Sequence, residues 1–265
     1  MNKAGQNMTV TILGSGTCVP SLNRGASSLL VQVGDKRLLV DIGTGTMRRL
    51  LEAGFSIYDI DYLLITHFHP DHTGELASFL FALKCMGPDL RKTPLVLAGG
   101  PGFVLFYEQL KLLYQHWVHL SDKLNIVELR GDGRDRPEIA TGDFVLSCAR
   151  VEHRPESLAY RIETPEGASV VVSGDTDYAA NLVHLARETD LFVCEAAFPD
   201  EFRAEGHLTP SGAGRLASEA NVKGLVLTHF YPECDEADMY GQCRNTYSGP
   251  LVLAEDLMKI NVNAG

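Results

Sequence analysis

Apolar residues fall in short runs along the chain, and many runs stop at a glycine, an aspartate or a histidine. Short runs that are apolar throughout are the pattern of strands buried on both faces. Residues 8–14 read as a first strand ending in the turn Gly14-Ser15-Gly16. A lone Gly-x-Gly with no helical pattern behind it is a tight turn rather than a phosphate loop. Residues 28–33 and 36–40 flank Gly34-Asp35 and predict a hairpin. A helix is expected from Met47 to about Ala53, stopped by Gly54. Residues 62–66 predict a strand. A helix then runs from Gly74 to about Met86, with Leu76, Phe79, Leu80 and Leu83 on one face. Residues 95–98 predict a further strand.

Residues 103–120 predict one long helical stretch carrying Phe106, Tyr107, Leu110, Leu113, Tyr114 and Trp117. It is more apolar than a one-sided surface helix needs. Core packing is the first reading, a dimer face or substrate lid the second. Strands follow at 125–129, 144–150, 158–162 and 169–173, with residues 130–136 as a surface turn of mixed charge. Then come a helix at 178–187, a strand at 191–195, a helix at 210–220, a strand at 225–228, and a last short pair at 251–253 and 258–262.

A faint repeat runs through this order. Residues 63–70 (LLITHFHP) resemble 225–232 (LVLTHFYP), and 38–44 (LLVDIGT) resemble 170–176 (VVVSGDT). No linker-like stretch separates the two similar halves. The expectation is therefore one α+β domain over residues 1–265, a four-layer αββα sandwich with a site at its seam.

Composition narrows this only a little. The 45% hydrophobic and 22% charged content is that of an ordinary globular chain. No apolar stretch has membrane-spanning length, and residues 1–7 have no apolar leader, so no membrane partner is expected. Six scattered cysteines without a CxxC pair predict free thiols and a cytoplasmic location. The formal net charge of −11 weakly disfavours a polyanionic partner, because nucleic-acid affinity rests on Lys and Arg meeting phosphates. Bound divalent cations would reverse that field locally.

The chemistry concentrates in Thr66-His67-Phe68-His69-Pro70-Asp71-His72. Imidazole nitrogen and carboxylate oxygen are the donors a borderline cation such as Zn²⁺ takes. His67 and His69 alternate and can point one way; Asp71 and His72, at a turn into a helix, can point to a second position. One ion leaves donors over, whereas two ions need more donors than this loop has. His153, Asp175 and His229 each lie just beyond an apolar strand, where a rigid scaffold presents functional groups. His116, His119 and His184 sit in amphipathic contexts and are read as ordinary surface residues.

These motifs resemble the metallo-β-lactamase fold superfamily, in the branch of ribonuclease Z and related phosphodiesterases. Asp41-Ile42-Gly43 matches its early Asp-x-Gly, His67-x-His69-x-Asp71-His72 its signature, Ser173-Gly174-Asp175-Thr176 its bridging motif, and Thr228-His229 its last ligand. Residues 253–258 (LAEDLM) resemble the branch's C-terminal strand. The resemblance implies His67, His69 and His153 on a first metal, Asp71, His72 and His229 on a second, and Asp175 bridging. The ions would be two divalent cations, with zinc expected and manganese or iron compatible. Glu195-Ala196-Ala197-Phe198 with Gly206-His207-Leu208-Thr209 resembles the branch's pattern for a proton-donating histidine, although Ala197 stands where threonine is usual. His207 could instead simply precede a helix N-cap. Asp41 can orient a ligand histidine or merely form a turn.

The implied enzyme is a hydrolase in which a metal-bridged hydroxide attacks, Asp71 can take the water's proton and His207 protonates the departing alkoxide. Ribonuclease Z carries a long RNA-gripping arm between its third and fourth ligand motifs. Asp175 follows His153 by only 22 positions here, which leaves no room for one. A small or cyclic phosphodiester is therefore the first expectation, with RNA second and lactone, thioester or sulfate-ester hydrolysis after it. A homodimer is expected from the resemblance and from residues 103–120.

Overall fold

Two seven-stranded sheets form the centre of the molecule in a computed structural model that describes residues 8–85, 93–133 and 135–265. The leader reading of residues 1–7, the helix end at Met86, and Arg134 of the charged turn lie outside the described residues. The first sheet holds β1 (Met8–Gly14), β2 (Ser28–Val33), β3 (Lys36–Val40), β4 (Tyr62–Ile65), β5 (Leu95–Gly99) and β6 (Leu124–Glu128) in that spatial order. The second runs from β7 (Ile139–Ala140) through β8 (Val145–Arg150), β9 (Leu158–Glu163), β10 (Ser169–Val172), β11 (Leu191–Glu195) and β12 (Leu225–Thr228) to β13 (Leu251–Leu253). The last strand, β14 (Lys259–Val262), crosses back to pair antiparallel with β1.

Both sheets change character midway. β1–β2–β3 and β8–β9–β10 are antiparallel, while β3–β4–β5–β6 and β10–β11–β12–β13 are parallel. The central parallel strands β4, β5, β10, β11 and β12 are apolar over most of their length because both faces are covered, whereas the edge strand β6 keeps exposed polar residues. Along the first sheet Leu30, Leu39, Leu63 and Leu97 face one cluster, and Val31, Leu38, Leu64 and Ala98 face the other. That is the two-residue side-chain period of a strand packed on both sides.

The outer cluster is closed by Leu50 of α1 (Thr46–Glu52), by Phe79 and Leu80 of α3 (Leu76–Cys85), and by Phe103 and Tyr107 of α4 (Phe103–Tyr114). A one-turn helix, α2 (Pro70–Thr73), precedes α3. The inner cluster continues through the second sheet to α5 (Ala180–Ala186), α6 (Pro210–Glu219) and α7 (Met239–Arg244). The order is helix, sheet, sheet, helix, as the apolar pattern predicts.

Three expectations are corrected. The helix expected over 103–120 ends at Tyr114, where Gln115 takes φ 55° and the chain continues as a short 3₁₀ turn, Gln115–Val118. Phe103, Tyr107, Val118 and Leu120 are buried, but Val104, Leu105, Leu112, Leu113 and Trp117 are exposed. Core packing thus holds for one face only, because a helix against a sheet has a single buried stripe. The terminal strands do not pair with each other: β13 extends the second sheet and β14 the first. Residues 254–258, expected to continue a strand, form the turn between them. β7, with two residues, and α7, with six, are too short to be seen in the pattern.

Candidate metal centre

The candidate ligands lie in loops just past strand ends: His67 and His69 after β4, His153 after β8, Asp175 after β10 and His229 after β12. The structure brings all of them together. Pro70 occupies the first position of α2, where its missing N–H costs nothing, so Asp71 and His72 fall in the first helical turn. The backbone of Ile42 clamps this loop. Its N–H donates to the His72 carbonyl at 2.8 Å, and its carbonyl accepts from Glu75 N–H at 3.0 Å. The next residue must be glycine, since a Cβ on Gly43 would stand 2.1 Å from the Asp71 carbonyl oxygen.

Asp175 lies between two groups of donors. Its Oδ2 is 3.6 Å from His67 Nε2 and 3.9 Å from His153 Nε2. Its Oδ1 is 3.2 Å from His72 Nε2 and 3.3 Å from His229 Nε2. His69 Nδ1 joins the first group, 3.2 Å from His153 Nε2. Asp71 Oδ2 joins the second, 3.6 Å from His229 Nε2 and 3.8 Å from His72 Nε2. In each group the donor atoms lie within 4.8 Å of one another.

This arrangement fits two cations. Among the described residues, His67 Nε2 and Asp175 Oδ1 are buried without a hydrogen-bond partner. An unmet buried donor or acceptor is costly unless something else satisfies it. Imidazole nitrogens also face each other, with His72 Nε2 3.4 Å from His229 Nε2. Two ligands at about 2.0–2.1 Å from a tetrahedral ion stand roughly 3.3 Å apart, which is the spacing seen between these nitrogens.

The surrounding residues hold the rings in place. Asp41, at φ 61°, takes His72 Nδ1 on Oδ2 at 2.7 Å and accepts from Thr66 N–H and Thr66 Oγ1, each at 2.8 Å. It is thus the orienting acceptor, beyond forming a turn. The Gly206 carbonyl accepts from His153 Nδ1 at 2.9 Å. Burial of Asp175 works against its charge, but the imidazoles of His229, His72 and His67 around it outweigh burial and hold the carboxyl well below its usual range. Burial pulls His67 well below the ordinary histidine value, with His72 adding to the effect. A neutral imidazole is the form a metal takes.

His207 sits at the edge of this centre, its ring 5.0 Å from that of His153 and 5.7 Å from that of His229. Its Nδ1 lies 3.1 Å from Glu195 Oε1, which leaves Nε2 on the far side of the ring. Glu195 is buried at the end of β11 and also accepts from Thr176 N–H at 2.6 Å. Burial works to lower the His207 pKa, but the Glu195 hydrogen bond and charge raise it to about 9. Bound cations act in the opposite sense. Thr209, not His207, caps α6 by accepting from Gly212 N–H. Glu195 entered the sequence reading only as part of a pattern. The signal for its role is a carboxylate closing an apolar strand, the feature that also marks the loops of Asp41 and Asp175.

The turn Gly14-Ser15-Gly16 positions the last ligand loop: the Ser15 carbonyl accepts from Phe230 N–H at 2.9 Å, next to His229. Asp256 holds that turn through Ser15 N–H at 2.9 Å and Gly25 N–H at 2.7 Å. His116, His119 and His184 lie outside every donor group found among the described residues.

Residues 8–239 match the family model described as Anti-Pycsar protein Apyc1. The chain belongs to the Apyc1 family. Its relatives include a ribonuclease Z from Mycolicibacterium paratuberculosis, 30% identical over 280 residues, covering 96% of this chain and 98% of that protein. Human tRNase Z, short form, is similar over 96% of this chain and 99% of its own, with TM-score 0.77 and 25% identity. The metallo-β-lactamase fold protein YhfI from Bacillus subtilis superposes with TM-score 0.82 at 23% identity, covering 97% and 99% of the two chains. This Apyc1-family chain therefore lies in the ribonuclease Z-like branch of the metallo-β-lactamase fold, and it is a binuclear metal-dependent hydrolase. No helix among the described residues is long and apolar enough to cross a membrane.

Proposed function

We propose that the chain hydrolyses a small or cyclic phosphodiester. In this reading His67, His69, His153 and Asp175 would hold one divalent ion, and Asp71, His72, His229 and Asp175 the other. Zinc is the ion proposed, since nitrogen-rich sites with carboxylate suit it. Two bound ions would supply an activated water and offset charge on the phosphoryl oxygens. Asp71 is the carboxylate placed to take a proton from such a water. His207 Nε2–H gives its proton to the leaving oxygen as the P–O bond breaks, and Glu195 keeps the imidazole in the tautomer that can do so.

The observation that carries the phosphodiester reading is the His207–Glu195 pair beside the metal donors. An alkoxide leaving group needs a proton. A thioester expels a thiolate and makes little use of such an acid; thioester, lactone and sulfate-ester hydrolysis together are the third reading. The interval between His153 and Asp175 supports a small substrate, because β9, its turn and β10 fill most of it. The charge of −11 points the same way. RNA is the second reading, favoured by identity to proteins named ribonuclease Z. A second copy of this chain is the proposed cover for Leu105, Leu112, Leu113 and Trp117, and a cytoplasmic location accords with the free cysteines.

A substrate panel tests this. The chain is expected to turn over 3′,5′-cyclic nucleotides with higher kcat/KM than precursor tRNA, lactones or sulfate esters. Preferential cleavage of the precursor tRNA would replace the first reading by the second.

A further inference from the structure

The segment that carries His207, residues 196–209, is held from several sides. At its start Ala197 N–H donates to the Leu208 carbonyl at 3.1 Å. In its middle Asp200 accepts from Ser211 N–H at 3.1 Å and donates its own N–H to Gln242 Oε1 at 2.9 Å. Beyond Asp200, Arg203 reaches Asp177: its Nη2 lies 3.2 and 3.1 Å from the two carboxylate oxygens. Asp177 is two residues past the bridging Asp175, and its N–H donates to the Glu152 carbonyl at 2.8 Å, one residue before His153. The ion pair therefore ties the His207 segment to the loops that carry Asp175 and His153. Between Arg203 and His207 lies Gly206, whose carbonyl accepts from His153 Nδ1. Its φ of 80° suits glycine, and a Cβ there would stand 2.9 Å from that nitrogen.

We infer that the Arg203–Asp177 pair is a positioning device for His207, one that sets the reach of the proton donor rather than the stability of the fold. The inference rests on the proposed role of His207. The Arg203 side chain is 69% exposed, and exposed ion pairs add little to stability. What the pair supplies is geometry. Without it, residues 203–206 are held to the centre by the Gly206–His153 contact, and His207 by the Glu195 contact and its backbone N–H bond to the Ala204 carbonyl. Proton transfer to a leaving oxygen needs hydrogen-bond reach, so small drift of the donor is felt in kcat.

The test compares two diesters that differ in their need for an acid. Bis-p-nitrophenyl phosphate expels a stable phenolate, whereas a 3′,5′-cyclic nucleotide expels a sugar alkoxide. Arg203→Gln is expected to lower kcat on the cyclic nucleotide about 10-fold and to change bis-p-nitrophenyl phosphate turnover less than about two-fold, a fraction of the range acid catalysis spans. Arg203→Lys recovers most of the loss. For the wild type, about 1 M NaCl, where the screening length is roughly 3 Å, reproduces part of the Arg203→Gln selectivity. Metal content stays unchanged throughout. A His207→Ala control separates the two claims. If His207→Ala loses the cyclic nucleotide selectively while Arg203→Gln matches wild type, or loses both substrates equally, the positioning role is overturned and the acid role stands. If His207→Ala shows no selective loss, the acid role falls and this inference falls with it.

Discussion

An Asp175→Ala protein is expected to bind fewer than two ions per chain and to lose at least about 10³-fold in kcat, since each lost metal contribution is several kcal/mol and about 1.4 kcal/mol is tenfold. The cause is geometric. The two carboxylate oxygens face different donor groups, Oδ2 toward His67 and His153, Oδ1 toward His72 and His229. Removing them takes one ligand from each position and leaves the imidazoles crowded without a counter-charge. Asp175→Asn keeps the shape and one acceptor oxygen, so it should retain more metal than alanine while still losing most activity. Metal content by mass spectrometry and kcat on a cyclic nucleotide read both effects. An Asp175→Ala protein with a full metal complement would show that the carboxylate is only a neighbour of the ions.

His207→Ala should give the second largest effect, with a different signature. Its metal content is expected to match wild type, because each proposed ion already has four donors without it. Turnover of a cyclic nucleotide falls by about 10²–10⁴, the usual worth of a positioned general acid. Turnover of bis-p-nitrophenyl phosphate falls far less. Glu195 should be felt through the same step, since its carboxylate sits 3.1 Å from His207 Nδ1 and sets which nitrogen carries the transferable proton. Loss of metal in His207→Ala would instead make this histidine a ligand, a role its proximity to Asp175 and His229 also permits.

The strands that deliver the ligands were legible because they are buried on both faces. β4, β10 and β12 read as unbroken apolar runs, and the polar residues that end them stand out. The hairpin of β2 and β3 was legible from its turn for a similar reason. Pairing between distant segments was not. β13 and β14 look alike locally, yet one joins each sheet, and nothing in a three- or four-residue run names its partner. For the 103–120 stretch, apolar content alone does not say which face is buried and which is open. Leu112 and Leu113 are apolar and exposed. Within the site, the donors could be read one by one, but the division of Asp175 between two groups is a property of the folded backbone. So is the part played by Asp256, a turn aspartate whose four acceptor contacts, to Ser15 N–H, Ser15 Oγ, Gly25 N–H and Arg49, arise only from tertiary contact.

The central claim is that two ions share this site. Metal analysis of the purified wild-type chain, after dialysis against metal-free buffer, tests it most directly. Two donor groups joined by one carboxylate predict close to two divalent ions per chain, as in other two-metal hydrolytic sites. One ion per chain, or none, would contradict it.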